Sequence, residues 1–505
     1  MDARLIPRRQ ALQITRRASL AALENRTSVT AIVAVTDADA ARLLPALPAP
    51  GIWDALHRRE PPQPQTVRST VLPGPQCAAA LGYARRQASQ YERLALAGQL
   101  CQQISARRPQ RVALVVDEQL EDAAEWYEAL LSALLAHSFA MPDFRSRRPP
   151  AWQLQRIELY QSPPLPLARI QAASQATNLV RWLTALPPNV LTARSYRRLL
   201  QSLARRHGLQ FRWYSEAQLR RLGAGAFLAV SRANAARDAG IARLRWTGRR
   251  ARGARNARNA RGIDAALVGK GILFDTGGVN LKPFRSMLDM HTDMSGSAVA
   301  LASVVALAEL RAPRIVEAWL AITENNIGPV AYRPQEVVRA LNGTTIQVVH
   351  SDAEGRMVLA DTLALAARAR PQRILDFATL TGACVNALTE RYSGVFCRQV
   401  DLLGELIAAG HACGERLWAF PMDDDFDQDI ESTVADIRQC AVEGKGDHIH
   451  AARFLKRFVP ATLPWAHIDL SAATRTGGLA HVPGDYTGFG ARLVLQWLLG
   501  PGAAR

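Results

Sequence analysis

Lysine is nearly missing from this chain. Of its 62 lysine and arginine residues only Lys270, Lys282, Lys445 and Lys456 are lysine, and two of these four stand in one glycine-rich stretch. An arginine guanidinium stays protonated, whereas a lysine amine can lose its proton and serve as a ligand or a tunable cation. Lysine retained against so strong a bias marks chemistry that arginine cannot do. Cysteine is sparse too: Cys77, Cys101, Cys384, Cys397, Cys413 and Cys440 form no CxxC pair or framework spacing. That suits a reducing cytoplasm, the expected location, and argues against a cysteine-based zinc site. No apolar run approaches the roughly 18 residues that cross a bilayer, so no helical membrane span is expected. The Arg-rich opening MDARLIPRRQALQITRRASL lacks the apolar core of a secretory signal.

With 505 residues, 48% hydrophobic and 21% charged, the composition is that of a soluble globular protein long enough for at least two domains. Acidic residues are outnumbered, giving a net charge of +18, a balance that invites a nucleic-acid reading. Six of the arginines, Arg249, Arg250, Arg252, Arg255, Arg258 and Arg261, belong to one acid-free insert between the strand-like runs IARLRW and IDAALVG. A solvated loop is the default for such a segment, with nucleic-acid contact through 249–261 as the functional alternative.

Residues 1–165 alternate strand-like TAIVAV and RVALVV with the helical pattern DAAEWYEALLSALLAHSF, which predicts a small N-terminal α/β domain. It holds no phosphate-binding glycine loop and no paired histidine and acid at ligand spacing, so no catalysis is expected there. The stretch SPPLPL marks its end. The second domain, 166–505, opens on a linking helix, ARIQAASQATNLVRWLTAL, stopped by Pro187 and Pro188. Apolar strands and helices then alternate, which predicts an α/β catalytic domain with a mostly parallel central sheet covered by helices on both faces.

Two stretches of that domain gather the charges. Val268 to Ala298 reads VGKGILFDTGGVNLKPFRSMLDMHTDMSGSA, and His350 to Leu363 reads HSDAEGRMVLADTL. They contain Lys270, Lys282, Asp275, Asp293, Asp352 and Glu354. Carboxylates in that number repel one another when brought together, and a divalent metal is the usual remedy. Any one acidic residue beside a glycine reads equally well as a turn former, but the whole set does not. The runs IDAALVG and TTIQVV precede the two clusters, which places both just past strand ends, where open α/β sheets bind ligands.

The motifs VGKG-x-x-FD-x-GG-x-x-x-KP, DM and DAEGR resemble those of the leucyl aminopeptidase family, hexameric cytosolic two-metal exopeptidases, over most of the C-terminal two-thirds. The resemblance implies a metallo-aminopeptidase that releases N-terminal residues, Leu and Met preferred, from short peptides. It implies two divalent ions per subunit, manganese or zinc. By the resemblance, Asp275 and Glu354 would touch both ions, Lys270 and Asp293 would complete one site, and Asp352 the other. Lys282 and Arg356 become the catalytic cations, with a bicarbonate at Arg356 helped by backbone around Leu380. Met290, Thr379, Leu380 and Gly382 fall on the substrate pocket, and assembly is expected as a homohexamer of two trimers. Where many members carry Asn, this chain has His350, read as a packed or outer residue with an adventitious ligand as the alternative. His448, His450, His467 and His481 lack ligand-like partners and are read as structural. A binuclear phosphoesterase uses similar carboxylates but several histidine ligands, where this chain has lysines.

Lysine scarcity generates a paired test. Lys282→Arg should lose on the order of 100-fold to 1,000-fold in turnover with normal metal content, because the broader guanidinium is misplaced beside a developing oxyanion. Lys270→Arg should instead weaken metal binding, since guanidinium has no lone pair to donate. Unchanged turnover in the first, or unchanged metal affinity in the second, removes the corresponding role.

Overall fold

The computed structural model describes residues 5–7, 11–20, 23, 30–35, 40, 42–47, 49–59, 62–73, 77–117, 120, 122–148, 150–248 and 262–500. The Arg-rich insert 249–261, with its nucleic-acid reading, lies outside these residues.

Short apolar segments build a first sheet of six strands: β1 (Gln13–Arg17), β2 (Thr30–Val35), β3 (Val67–Val71), β4 (Ala78–Tyr83), β5 (Arg111–Val116) and β6 (Arg156–Tyr160). Their order is β1-β6-β5-β2-β4-β3, parallel except for β3 at one edge. RVALVV is apolar at successive positions because both faces of β5 are covered. Val112, Leu114 and Val116 meet helices Gln90–Ser105 and Ala123–His137, while Ala113 and Val115 face a separate core that includes Trp53 of helix Pro50–Arg58.

Helix Leu167–Thr184 leads to the second sheet, which holds the candidate site. Its buried Arg181 donates to the carbonyls of Ala136, Pro483 and Tyr486, tying the first part of the chain to the last. The remaining strands are β7 (Gln210–Ser215), β8 (Gly240–Trp246), β9 (Ala265–Asp275), β10 (Val316–Asn325), β11 (Val337–Arg339), β12 (Thr345–Gln347), β13 (Ile374–Ala378), β14 (Ser393–Cys397), β15 (Leu417–Ala419), β16 (Ile437–Arg438) and β17 (Trp465–Asp469). Eight of them form the large sheet in the order β15-β14-β17-β13-β9-β10-β8-β7. The central run β17-β13-β9-β10 is parallel, with antiparallel pairs β14–β17, β10–β8 and β8–β7 toward the edges. Helices Ser295–Glu309 and Ala491–Leu499 contribute to the core on one face, and helix Glu354–Ala367 to the core on the other. The expected α/β architecture with a mostly parallel, doubly covered sheet is what the chain forms. No helix among the described residues is long and apolar enough to cross a membrane.

Two local expectations change. Lys270 lies inside β9, not past its end, because the strand continues to Asp275. TTIQVV supplies β12, which belongs to a separate three-stranded sheet, β11-β12-β16, so the second cluster does not follow a central strand. The second motif runs directly into helix Glu354–Ala367, which puts Glu354 and Arg356 in its first turn.

Candidate metal centre

The pleat of β9 sends alternate residues to opposite faces, so Lys270 shares a face with Ala266, Val268 and Ile272. That face packs against helix Glu354–Ala367, and the two charged motifs meet there. Gly355 permits the approach: a Cβ at this position would lie 2.4 Å from Lys270 Cε and 2.6 Å from its Nζ. Beyond Asp275 the chain turns at Gly277, whose φ of +86° favours glycine and where a Cβ would meet Asn280 O at 2.4 Å.

This turn is stitched to the second motif. Ser351 Oγ donates to Gly277 O at 2.6 Å, the Asn280 amide donates to Ser351 Oγ at 2.8 Å, and the Ser351 amide donates to Asn280 Oδ1 at 2.9 Å. From the end of β10, Asn325 Nδ2 donates to Asp275 Oδ1 at 2.8 Å and to Ser351 O at 3.0 Å. The fully buried Gln439 accepts from the Val349 and His350 amides and donates to Ala353 O. The sequence reading missed Asn280, Asn325, Ser351 and Gln439. Their only signal is polarity between apolar runs, which many loop residues share.

The structure brings all four expected acids and both lysines together. Lys270 Nζ stands 2.8 Å from Asp293 Oδ1 and 2.9 Å from Glu354 Oε1, and donates to Thr379 O at 3.0 Å. Lys282 Nζ stands 2.8 Å from Asp275 Oδ2 and is also paired with Asp352 Oδ1. One carboxylate oxygen each of Asp275, Asp293 and Glu354 lie within 4.8 Å of one another. Asp293 Oδ2 and Glu354 Oε2 are buried without hydrogen-bond partners. Carboxylate oxygens left unpaired in the interior are costly unless a cation meets them, so this donor set fits divalent metal.

Electrostatics agree. Burial opposes the charge on Lys270 and on Lys282, yet the surrounding carboxylates outweigh it and hold both ammonium groups above the ordinary lysine range. Asp293, Glu354 and Asp352 are nevertheless pushed up, first by burial and then by the neighbouring carboxylates. Acids and bases shifted upward together mean that negative charge is in surplus: four carboxylates face two ammonium groups.

Arg356 is engaged elsewhere than expected. It is 2% exposed and pairs not with a carboxylate of the cluster but with Asp447, Nη2 lying 2.7 Å from Oδ1 and 2.8 Å from Oδ2. Nη1 donates to Gln439 O at 3.2 Å. The Leu380 amide donates to Asp469 Oδ1 at 3.1 Å, and the Thr381 hydroxyl donates to Oδ2 at 2.7 Å. The two groups expected to hold a bicarbonate are therefore bonded to carboxylates of the chain and do not fit that anion in this arrangement.

Thr379 Oγ1 donates to Asp293 Oδ1 at 2.7 Å, so this residue braces one of the clustered carboxylates. Met290 is half-buried at the start of the turn before Asp293, and Gly382 is exposed with open space where a side chain would stand. His350 is exposed, its Nδ1 accepting from the Asp352 amide at 3.2 Å, which makes it a cap rather than a packed residue. His450 and His467 do have acidic partners, Asp429 at 2.9 Å and Asp376 at 2.6 Å, though neither pair belongs to the lysine and carboxylate cluster. A cavity of about 1320 Å³, lined in part by Gln13, Arg111, Trp152, Asn178 and Glu309, contains none of the cluster residues.

A sequence profile of the catalytic domain of the cytosol aminopeptidase family matches residues 178–495, more than half of the chain and all of the cluster. The chain belongs to the cytosol aminopeptidase family. A probable cytosol aminopeptidase of Synechococcus sp. (strain WH7803) is 36% identical over 390 residues, 75% of each chain. One from Synechococcus sp. (strain CC9605) is 33% identical over 459 residues, covering 89% of this chain and 91% of that one. Among solved structures, a mutant tomato leucine aminopeptidase superposes with a TM-score of 0.86 at 25% identity, covering 98% of each chain. The bottromycin maturation enzyme BotP in complex with Mn gives 0.80 at 29% identity, covering 94% of this chain and 99% of that one. As a member of the cytosol aminopeptidase family, the protein is an aminopeptidase, a hydrolase acting on peptides.

The close approach at Gly355 yields a prediction about this aminopeptidase. Gly355→Ala should push the Lys270 amine from Asp293 and Glu354 while leaving the helix intact, since Ala is the better helix former by about 1 kcal/mol. Bound metal measured by elemental analysis should fall, with circular dichroism unchanged. Full metal content in the variant would show that Lys270 does not need its observed place.

Proposed function

We propose that this aminopeptidase works with two divalent metal ions, manganese or zinc, held by Lys270, Asp275, Asp293, Asp352 and Glu354. The observation that carries the reading is the surplus of buried carboxylate oxygen around two lysines, including Asp293 Oδ2 and Glu354 Oε2 without partners. When bound, such a pair supplies an acidified water and a Lewis-acid grip on the scissile carbonyl. Asp275, anchored by Asn325 and the Gly277 amide, and Glu354, rooted in a helix, keep the anionic frame rigid. Lys282 holds positive charge where negative charge develops on the carbonyl oxygen. Thr379, bonded to Asp293, keeps that carboxylate turned toward Lys270. Met290, Thr379, Leu380 and Gly382 border the place for the first residue of the substrate, and their apolar or open character favours Leu and Met.

The reading includes a smaller N-terminal domain over 1–165, a catalytic domain over 166–505, a cytoplasmic enzyme and a homohexamer. Apolar side chains near the site, Leu281 at 54% exposure, Phe284 at 78% and Leu288 at 63%, are the kind of surface that subunit contacts cover. Light scattering should give about six times 55.2 kDa, and a monomer at micromolar concentration would overturn the assembly.

Metal binding tests the ligand set directly. Lys270 is an ammonium in the metal-free site and must lose its proton to ligate, while the raised carboxylates also carry protons into the range that metal needs free. The sign follows: affinity should rise with pH, and binding should release about one proton or more per subunit. Calorimetric titration in two buffers of unlike ionisation enthalpy reads this number. The same preparation should cleave a chromogenic leucyl substrate and leave its N-acetylated form intact. Metal binding with no proton release would remove Lys270 from the ligands.

A further inference from the structure

We propose that Asp447 is the resident anion of the Arg356 site, so that this enzyme does not use exogenous bicarbonate. The inference rests on the aminopeptidase reading above for its activity measurement, but its binding measurement is independent of it.

A guanidinium recruits an oxyanion with paired N–H donors and an uncompensated charge. Arg356 offers neither. Its Nη2 is shared between both oxygens of Asp447, at 2.7 and 2.8 Å, and its Nη1 is turned to Gln439 O at 3.2 Å. Nε is the one nitrogen of this side chain without a partner, and it provides a single bond. The Leu380 amide, the second expected donor, is held by Asp469, whose other oxygen takes the Thr381 hydroxyl. A free anion arriving here would find these donors already bonded, and the carboxylate of Asp447 on the guanidinium would repel it.

Asp447 is built into this place. It is the first residue of helix Asp447–Lys456, entered through Gly446 with φ +65°, and a carboxylate is favoured at a helix N-terminus. The buried partner is the arginine, 2% exposed, while the Asp447 side chain keeps 27% of its surface open. Asp447 thus acts through Arg356 as a positioning residue: it fixes the guanidinium plane and balances a buried charge that would otherwise draw an anion from solution.

The test compares the wild-type protein with Asp447→Asn and Asp447→Glu in bicarbonate-free buffer, metal restored. Wild type and Asp447→Glu should hydrolyse a leucyl substrate at the same rate with and without millimolar bicarbonate. Asp447→Asn should be slower by about 10- to 100-fold, as for loss of an orienting partner, and recover saturably with bicarbonate or formate. Line broadening of ¹³C-bicarbonate should be saturable with Asp447→Asn and absent with wild type, whether or not the leucyl substrate is cleaved. Saturable bicarbonate binding by wild type, or a wild-type rate that depends on bicarbonate, overturns the proposal, and these two measurements decide it even if Asp447→Asn does not fold. An Asp447→Asn enzyme as fast as wild type without bicarbonate also overturns it. If no protein cleaves the substrate, the aminopeptidase reading fails while the binding comparison still decides the role of Asp447.

Discussion

Four buried or half-buried carboxylates crowded around one small volume are the constraint on which the catalytic half of this protein depends. Left alone they would repel one another and carry a large desolvation penalty. Lys270 and Lys282 divide the task, each bridging two of the acids, Asp293 with Glu354 and Asp275 with Asp352. Two ammonium groups do not balance four carboxylates, and buried acids with that deficit suit a cation. A chain that uses arginine almost everywhere else has lysine here, a compact ammonium that fits between two carboxylates.

Holding such a cluster demands rigid elements, and the central sheet supplies them. Lys270 comes from the interior of β9, flanked by β10 and β13. Asp275 ends the same strand, and Glu354 begins a helix packed across it. The loops between are fixed by neutral hydrogen bonds from Asn280, Asn325, Ser351 and Gln439, which add no charge to a site that already has too much. Gly277 and Gly355 remove the Cβ atoms that would separate the parts. Membership in the cytosol aminopeptidase family and the geometry of this cluster therefore describe one arrangement from two directions.

Around that cluster the structure arranges a second layer of acid and donor pairs: Asp447 with Arg356, Asp469 with Leu380 and Thr381, Asp376 with His467 and Trp465. Each satisfies a buried polar group that would otherwise be orphaned. The Arg356–Asp447 pair also sets how the site meets solution anions, since a guanidinium closed by its own carboxylate has little left to offer one.

Much of this was legible in the residues. Apolar strands alternating with helices predict the doubly covered sheet, because parallel strands buried on both faces need unbroken apolar runs. Lys270, Lys282, Asp275, Asp293, Asp352 and Glu354 stand out as a set because so many charges within two short motifs have no structural purpose apart. The extension of β9 past Lys270, the assignment of β12 to a small side sheet and the partnership of Arg356 with Asp447 were not legible. Each depends on neighbours far along the chain: β9 is prolonged by pairing with β10, β12 pairs with β11 and β16, and Asp447 lies 91 residues from Arg356. Local pattern records what a residue can bury or donate, and only the folded chain selects which distant group receives it.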